Sequence, residues 1–260
     1  MFQFSKDKTC GEWPKPGMLA RSIASYRHAS RYFDPDCLAP LVIQCADGIA
    51  QDIQRDWTGP RIAIIHDWNL AYWPVVTHAR EVFCIGGFDH PDFGKKCHDI
   101  PSYPLDVGRL QPLPTCSEYD AVIGGAIRKD TLETLKDIIS GNAFRRVALI
   151  CYAEQVGTAG AFTEIETFLV QRGVEVVFGR RRLPPRLVED LYLSAPAIVH
   201  LGHGCRGWLH TLAEYSRRMA NVNVYCEKEF GNGEIVDVRK FGETLDRVAD
   251  RLLGGNAPVG

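Results

Sequence analysis

The sequence has no apolar run long enough to cross a bilayer. Its start, MFQFSKDKTCGEWPKPG, lacks the apolar stretch of a signal peptide. No membrane association is expected, and the location expected is cytoplasmic. Charge of one sign is also missing: Lys+Arg 30 against Asp+Glu 32 leaves a net charge of -2, so no global basic field draws nucleic acid. One local run, Arg180, Arg181 and Arg182 with Arg186, leaves nucleic acid or a polyanionic substrate open, although such runs are more often solvated helix entrances. The nine cysteines never fall as Cys-x-x-Cys, and several sit in apolar runs, where a free thiol behaves as a small hydrophobe. The nearest approach to a ligand set is Cys97 and His98 with His90. Adjacent ligands lack the spacing of zinc knuckles, so no metal is expected. A GxxxxGK[ST] phosphate loop is absent too.

What is present is a core-forming composition, 45% hydrophobic and 24% charged. Helical patterns in MLARSIASYRHASRYF and CLAPLVIQCADGIAQDIQRDW predict an N-terminal arm and helical cap over 1–60. From Arg61 onward, short apolar runs alternate with amphipathic stretches, the mark of parallel crossover units. Strands are predicted near 61–66, 81–85, 120–124, 146–152, 174–178, 197–201 and 222–226. Helices are predicted at 69–79, 130–140, 160–172, 185–194 and 207–219. The fold class expected is α/β, a mostly parallel, Rossmann-like three-layer sheet with an N-terminal helical extension. A single domain is expected over 61–250, with a flexible tail at 251–260. The stretch 88–118, rich in proline, reads as irregular and as a possible lid.

In an open parallel sheet, ligands bind beyond the carboxyl ends of the strands. That rule selects His66 and Asp67, then Gly86, Gly87 and Asp89, then Gly124 and Gly125, then Tyr152 and Glu154. Glycines there let backbone approach a ligand, and a carboxylate can bind ribose hydroxyls. Ile85-Gly86-Gly87-Phe88 is not GxGxxG, and a plain turn accounts for it equally well.

The segment PLDVGRLQPLPTCSEYDAVIGG, residues 104–125, resembles class I S-adenosylmethionine-dependent methyltransferases, and the helices and strands to about residue 180 follow the same order. The resemblance implies S-adenosylmethionine as cofactor. It places Asp67, Gly86, Gly87, Asp89 and Asp106 near it, with Asp106 by the adenine. It also implies that Asp120 opens the strand facing the methyl group, and that Arg128 or Tyr152 lies near the acceptor. The family's glycine loop falls either after RIAIIH, where this chain has DWNLAYWP, or after EVFCIGGFD. A second likeness, through Gly86, Gly87, Cys97, His98, Asp106 and Arg109, is to alphavirus-like RNA-capping methyltransferases.

Other classes stay open. AIVHLGHGCRGWLH resembles the His-Gly turns of caspase-like hydrolases and pairs His200 and His203 with Cys226, against a buried-thiol role for that cysteine. The same GHG turn, followed by a helix and VNVYCEKE, suits a nucleotide or sugar-nucleotide site with a helix N-terminus facing phosphate. IAIIHDW is similar to the opening of some two-lobed glycosyltransferases. Trp68, Tyr72 and Trp73 either stack on a base or sugar or pack in the core. The partner expected is a small or nucleotide-containing substrate; a non-catalytic Rossmann-like scaffold is the remaining alternative.

Overall fold

A computed structural model describes residues 2–4, 9–11, 41–44, 61–65, 68, 70–125, 127–150, 159–179, 183–201, 207–220, 222–226 and 234–254. The protein is α/β, with parallel strands in two sheets. Contacts group the chain into two compact units instead of the single 61–250 domain expected. Met1–Val107, Gly204–Gly207 and Glu234–Gly260 form the first, and Gly108–His203 and Trp208–Gly233 form the second.

The first sheet takes strands β1 (Phe2–Phe4), β2 (Thr9–Gly11), β3 (Leu41–Gln44), β4 (Arg61–Ile65), β5 (Glu81–Ile85) and β6 (Cys97–Ile100) in the order β2-β1-β3-β4-β5-β6. β2 is antiparallel to β1, and the other pairs are parallel. β4 and β5 are apolar on consecutive residues because both faces are covered. On one face Ala63, Ile65, Val82 and Cys84 pack with Tyr72 and Val76 of the segment leading into and through α1 (Trp73–His78). On the other, Phe83 meets Phe241 of α6 (Val238–Gly254) edge to face, centroids 5.7 Å apart. Glu81 ties the layers: its carboxylate accepts from His98 Nε2 at 2.7 Å and from Arg251 at 2.5 Å.

The second sheet takes β7 (Ala121–Gly125), β8 (Arg146–Leu149), β9 (Glu175–Val177), β10 (Ala197–Leu201) and β11 (Asn223–Cys226) in the order β11-β10-β7-β8-β9, all parallel. Helices α2 (Leu132–Ser140) and α3 (Ala159–Gln171) cover one face, where Leu135, Ile139, Phe162 and Ile165 pack on Ile123, Val147 and Val199. Tyr192 of α4 (Pro185–Ser194) and His210 of α5 (Trp208–Ala220) lie against His200, whose neighbours on β10, Val199 and Leu201, belong to that first core. Alternate residues of a strand point to opposite faces, so α4 and α5 make the third layer.

Every predicted strand and crossover helix from Arg61 to Cys226 has its counterpart. Three corrections follow. Leu41–Gln44, placed in a helical pattern, is strand β3, because LVIQ is β-prone and finds a parallel partner in β4. The segment 88–118 contains β6, whose polar CHDI hides the apolar signal because β6 is an edge strand. The expected tail at 251–260 is helical to Gly254, since α6 buries Phe241, Leu245 and Val248. The helical pattern in MLARSIASYRHASRYF lies outside the described residues.

Asp120 stands at the amino end of β7, and its Oδ2 accepts from the backbone N–H of Arg145 at 2.5 Å and of Arg146 at 2.9 Å. These two N–H groups, Arg145 first, hold the carboxyl below its ordinary 3.8. Replacing Asp120 by Ala should lower stability by about 1.5–3 kcal/mol in denaturant titrations, the range for hydrogen bonds to a charged group. A depressed native pKa gives stability that is full above the unfolded value and lost as pH falls through the native one. The wild-type advantage should therefore shrink in acid below the carboxylate range; a gap independent of pH would refute the assignment.

Candidate functional site

In the second sheet, β7 leads through α2 to β8, while β10 leads through α5 to β11. The two crossovers leave to opposite faces, so the carboxyl ends of β7 and β10 form the topological switch point, where open α/β sheets bind ligands. β7 ends in Gly124 and Gly125, which pair with His200 and Leu201 at the end of β10.

Packing explains both glycines. A Cβ on Gly124 would stand 2.1 Å from the Tyr192 hydroxyl. On Gly125, with φ +101°, it would stand 2.4 Å from the Leu201 carbonyl oxygen and 3.1 Å from His200 Cε1. Beyond them the chain runs to Thr131, whose Oγ1 accepts from Arg128 N–H at 3.1 Å, and enters α2. Arg128, expected near an acceptor, lies in this turn and pairs with Asp130 at 2.6 Å. His200 is 3% exposed, with Nδ1 3.4 Å from the Tyr192 hydroxyl and its ring 5.5 Å from that of His210. Burial, reinforced by His210, pushes its pKa down to about 3, so the ring is neutral and serves as a core group. Tyr152, Glu154, His203 and the Cys226 side chain lie outside the described residues.

One functional signal at this point is easily missed. Between Leu201 and Trp208 the chain reads Gly202-His203-Gly204-Cys205-Arg206-Gly207, the spacing GxGxxG. Glu227 follows twenty positions after Gly207, directly after β11. A short GxGxxG carries little weight alone, but its confirming context is a preceding strand, a following helix, a parallel second strand and an acid beyond it. Here β10, α5 and β11 supply that context, with Ala197 to His200 in parallel register with Asn223 to Cys226. Reading GHG as an isolated turn hid the pattern, because the third glycine and the acid gain meaning only once β10 and β11 are neighbours.

The remaining expected residues fall in the first unit. Asp67 lies outside the described residues. Gly86 (φ 106°) and Gly87 (φ 60°) make the turn after β5, Gly86 N–H donating to the Ile100 carbonyl at 2.8 Å, and Asp89 is exposed beside them. Positive φ accounts for both glycines. Asp106 is buried, next to Leu105, whose N–H donates to the Val236 carbonyl and whose carbonyl accepts from Val238 N–H. Arg109 belongs to the second unit and clasps Glu189 with both carboxylate oxygens, at 2.6 and 2.5 Å. Gly86, Gly87, Asp89 and Asp106, expected around the cofactor, thus share the first unit, whereas Arg128, expected near the acceptor, belongs to the second. Trp68, Tyr72, Trp73 and Phe93 form one aromatic group; Tyr72 and Phe93 are buried, and Trp73 is 49% exposed.

Two outcomes test this geometry. Gly125→Ala combines a left-handed backbone with a backbone clash and should cost upwards of about 2 kcal/mol, whereas Gly87→Ala, with no contact closer than 3.5 Å, should cost only about 1–2 kcal/mol. Equal losses in a urea titration would contradict the close approach of β7 and β10. For His200, the unfolded chain binds a proton below its ordinary 6.5 and the native protein does not until about 3. Stability should therefore fall with falling pH in that window, by up to about 1.4 kcal/mol per pH unit, and His200→Gln should remove that component. An unchanged slope in the variant would contradict the assignment.

No protein-family model matches the chain, and no curated protein matches it either.

Proposed function

We propose that the protein binds a nucleotide carrying both a diphosphate and a ribose at the β10–α5 turn, a dinucleotide of the NAD type or a nucleotide sugar, and acts on a small molecule held beside it. The observation that carries this is the GxGxxG of residues 202–207 between β10 and α5, followed by β11 in parallel register and then Glu227. The glycines permit a tight turn and close backbone approach to a pyrophosphate, and the N–H groups opening α5 point toward it. Glu227 is the acceptor for ribose hydroxyls, a role that requires an ionised carboxylate at the end of the second strand.

S-adenosylmethionine is the second reading. The Glu227 carboxylate suits its ribose as well, and Gly124-Gly125 provides, after β7, a glycine turn that the resemblance of residues 104–125 otherwise lacks. Against it, Asp120, at the amino end of β7, already serves backbone N–H groups. S-adenosylmethionine also has no diphosphate to occupy a helix N-terminus.

Isothermal titration against NAD, ADP-ribose, a UDP-sugar and S-adenosylhomocysteine separates these readings. ADP-ribose or a nucleotide sugar should bind and stabilise the protein, and Glu227→Gln should weaken that binding by about tenfold or more, the loss of a charged hydrogen-bond acceptor. Binding of S-adenosylhomocysteine alone would transfer the assignment to methyl transfer. Silence across the panel would leave the scaffold alternative.

A further inference from the structure

The parallel pairing of β5 with β6 gathers side chains that stand far apart in sequence. In this register Cys84 lies opposite Asp99, with Cys97 two residues before it on the same strand. Residues two apart on a strand share a face, so Cys97 and Asp99 point one way and His98 the other. His98 accordingly stacks on Phe83 at 4.6 Å and reaches Glu81. The loop after the Gly86-Gly87 turn then brings His90 back over the first face. Cys84 Sγ and Cys97 Sγ are 3.6 Å apart, Cys97 Sγ and Asp99 Oδ1 3.7 Å, and His90 Nε2 and Asp99 Oδ1 2.9 Å. One donor atom from each of the four residues lies within 4.8 Å of the others.

The geometry points to a binding site for one zinc ion, held by Cys84, His90, Cys97 and Asp99, that clips the β5–β6 loop of the first unit. Four donors about 2.0–2.3 Å from a tetrahedral ion stand roughly 3.3–3.8 Å apart, close to the separations found. Two thiolates and an imidazole select a borderline-soft ion over magnesium or calcium, which prefer oxygen donors. The imidazole is oriented for the task. Nδ1–H donates to the Pro91 carbonyl at 2.8 Å, leaving Nε2 as the ligating atom of the neutral ring, and Phe93 stacks on the ring at 5.1 Å. Nε2 stands 2.9 Å from Asp99 Oδ1, a contact bridged by a proton when the ring is charged and one that zinc would bridge in the proton's place. Lys96, in the same loop, is engaged elsewhere and donates to the Val76 carbonyl at 2.7 Å. On binding, each thiol releases its proton to solvent and each sulfur forms a bond to zinc. Four protein donors complete the tetrahedron, so the ion is a structural clip with no open position for catalysis.

The test uses the full reduced chain. Metal analysis of protein from zinc-supplemented medium should give one equivalent of zinc. Cobalt(II) titration of the chelator-treated protein should give the thiolate-to-cobalt charge-transfer band and the strong visible bands of a tetrahedral sulfur-containing site. His90→Gln and Asp99→Asn change partly or largely exposed groups and should keep the fold, verified by circular dichroism, while weakening zinc binding at least about tenfold. Cys84 is buried in the core, so Cys84→Ser alone would confuse binding with stability. Zinc binding unchanged in both His90→Gln and Asp99→Asn, a cobalt spectrum without the thiolate band, or less than stoichiometric zinc in wild type would each overturn the proposal. So would a Cys84–Cys97 disulfide found by peptide mapping of protein prepared with zinc and reductant. None of these readouts depends on nucleotide binding at the β10–α5 turn.

Discussion

The close approach of β7 to β10 is the constraint on which the second unit depends. A side chain cannot be added to Gly125 without meeting the Leu201 carbonyl, and Gly124 is closed off by the buried Tyr192 ring. The two strands are neighbours through their parallel ladder, and both are covered on both faces, α2 and α3 packing on one side and the Tyr192, His200 and His210 group forming the other. Their crossovers leave to opposite faces, which makes their carboxyl ends the switch point of the sheet. The glycine pair is thus a requirement of the sheet.

The buried polar groups follow the same logic. His200 escapes the cost of burial by staying neutral beside Tyr192. Glu189, 5% exposed, is compensated by Arg109, whose Nη2 donates to both carboxylate oxygens, and Glu214, fully buried on α5, by Arg218 one turn later. In the first unit, Glu81 joins β5 to β6 through His98 and to α6 through Arg251. Of these, the Glu81 pairs link β5 to β6 and to α6, a role distinct from chemistry on a ligand.

Most of the second unit was legible in the sequence because RVAL, AIVHL and the run before Gly124 are apolar on consecutive residues, which only strands covered on both faces can be. The edges were harder. β6 carries His98 and Asp99, and β3 sits in a stretch whose spacing also fits a helix, so local pattern misled where tertiary pairing decided. Strand ends can be read from sequence, but not which strands share a sheet. Gly86, Gly87 and Asp106 proved to belong to one unit and Arg128 to the other. Cys84 and Asp99 escaped notice because their proximity is created by the β5–β6 register, and the third glycine of residues 202–207 because its meaning rests on β11.

The most direct measurement of the central claim is hydrogen–deuterium exchange of the full chain with and without ADP-ribose, which contains the diphosphate and ribose that the β10–α5 turn and Glu227 are suited to hold. Slowed exchange concentrated in peptides covering residues 198–212 and 222–230 is the expected result. Unchanged exchange in those peptides at saturating ADP-ribose, or protection confined to residues 81–100, would contradict it.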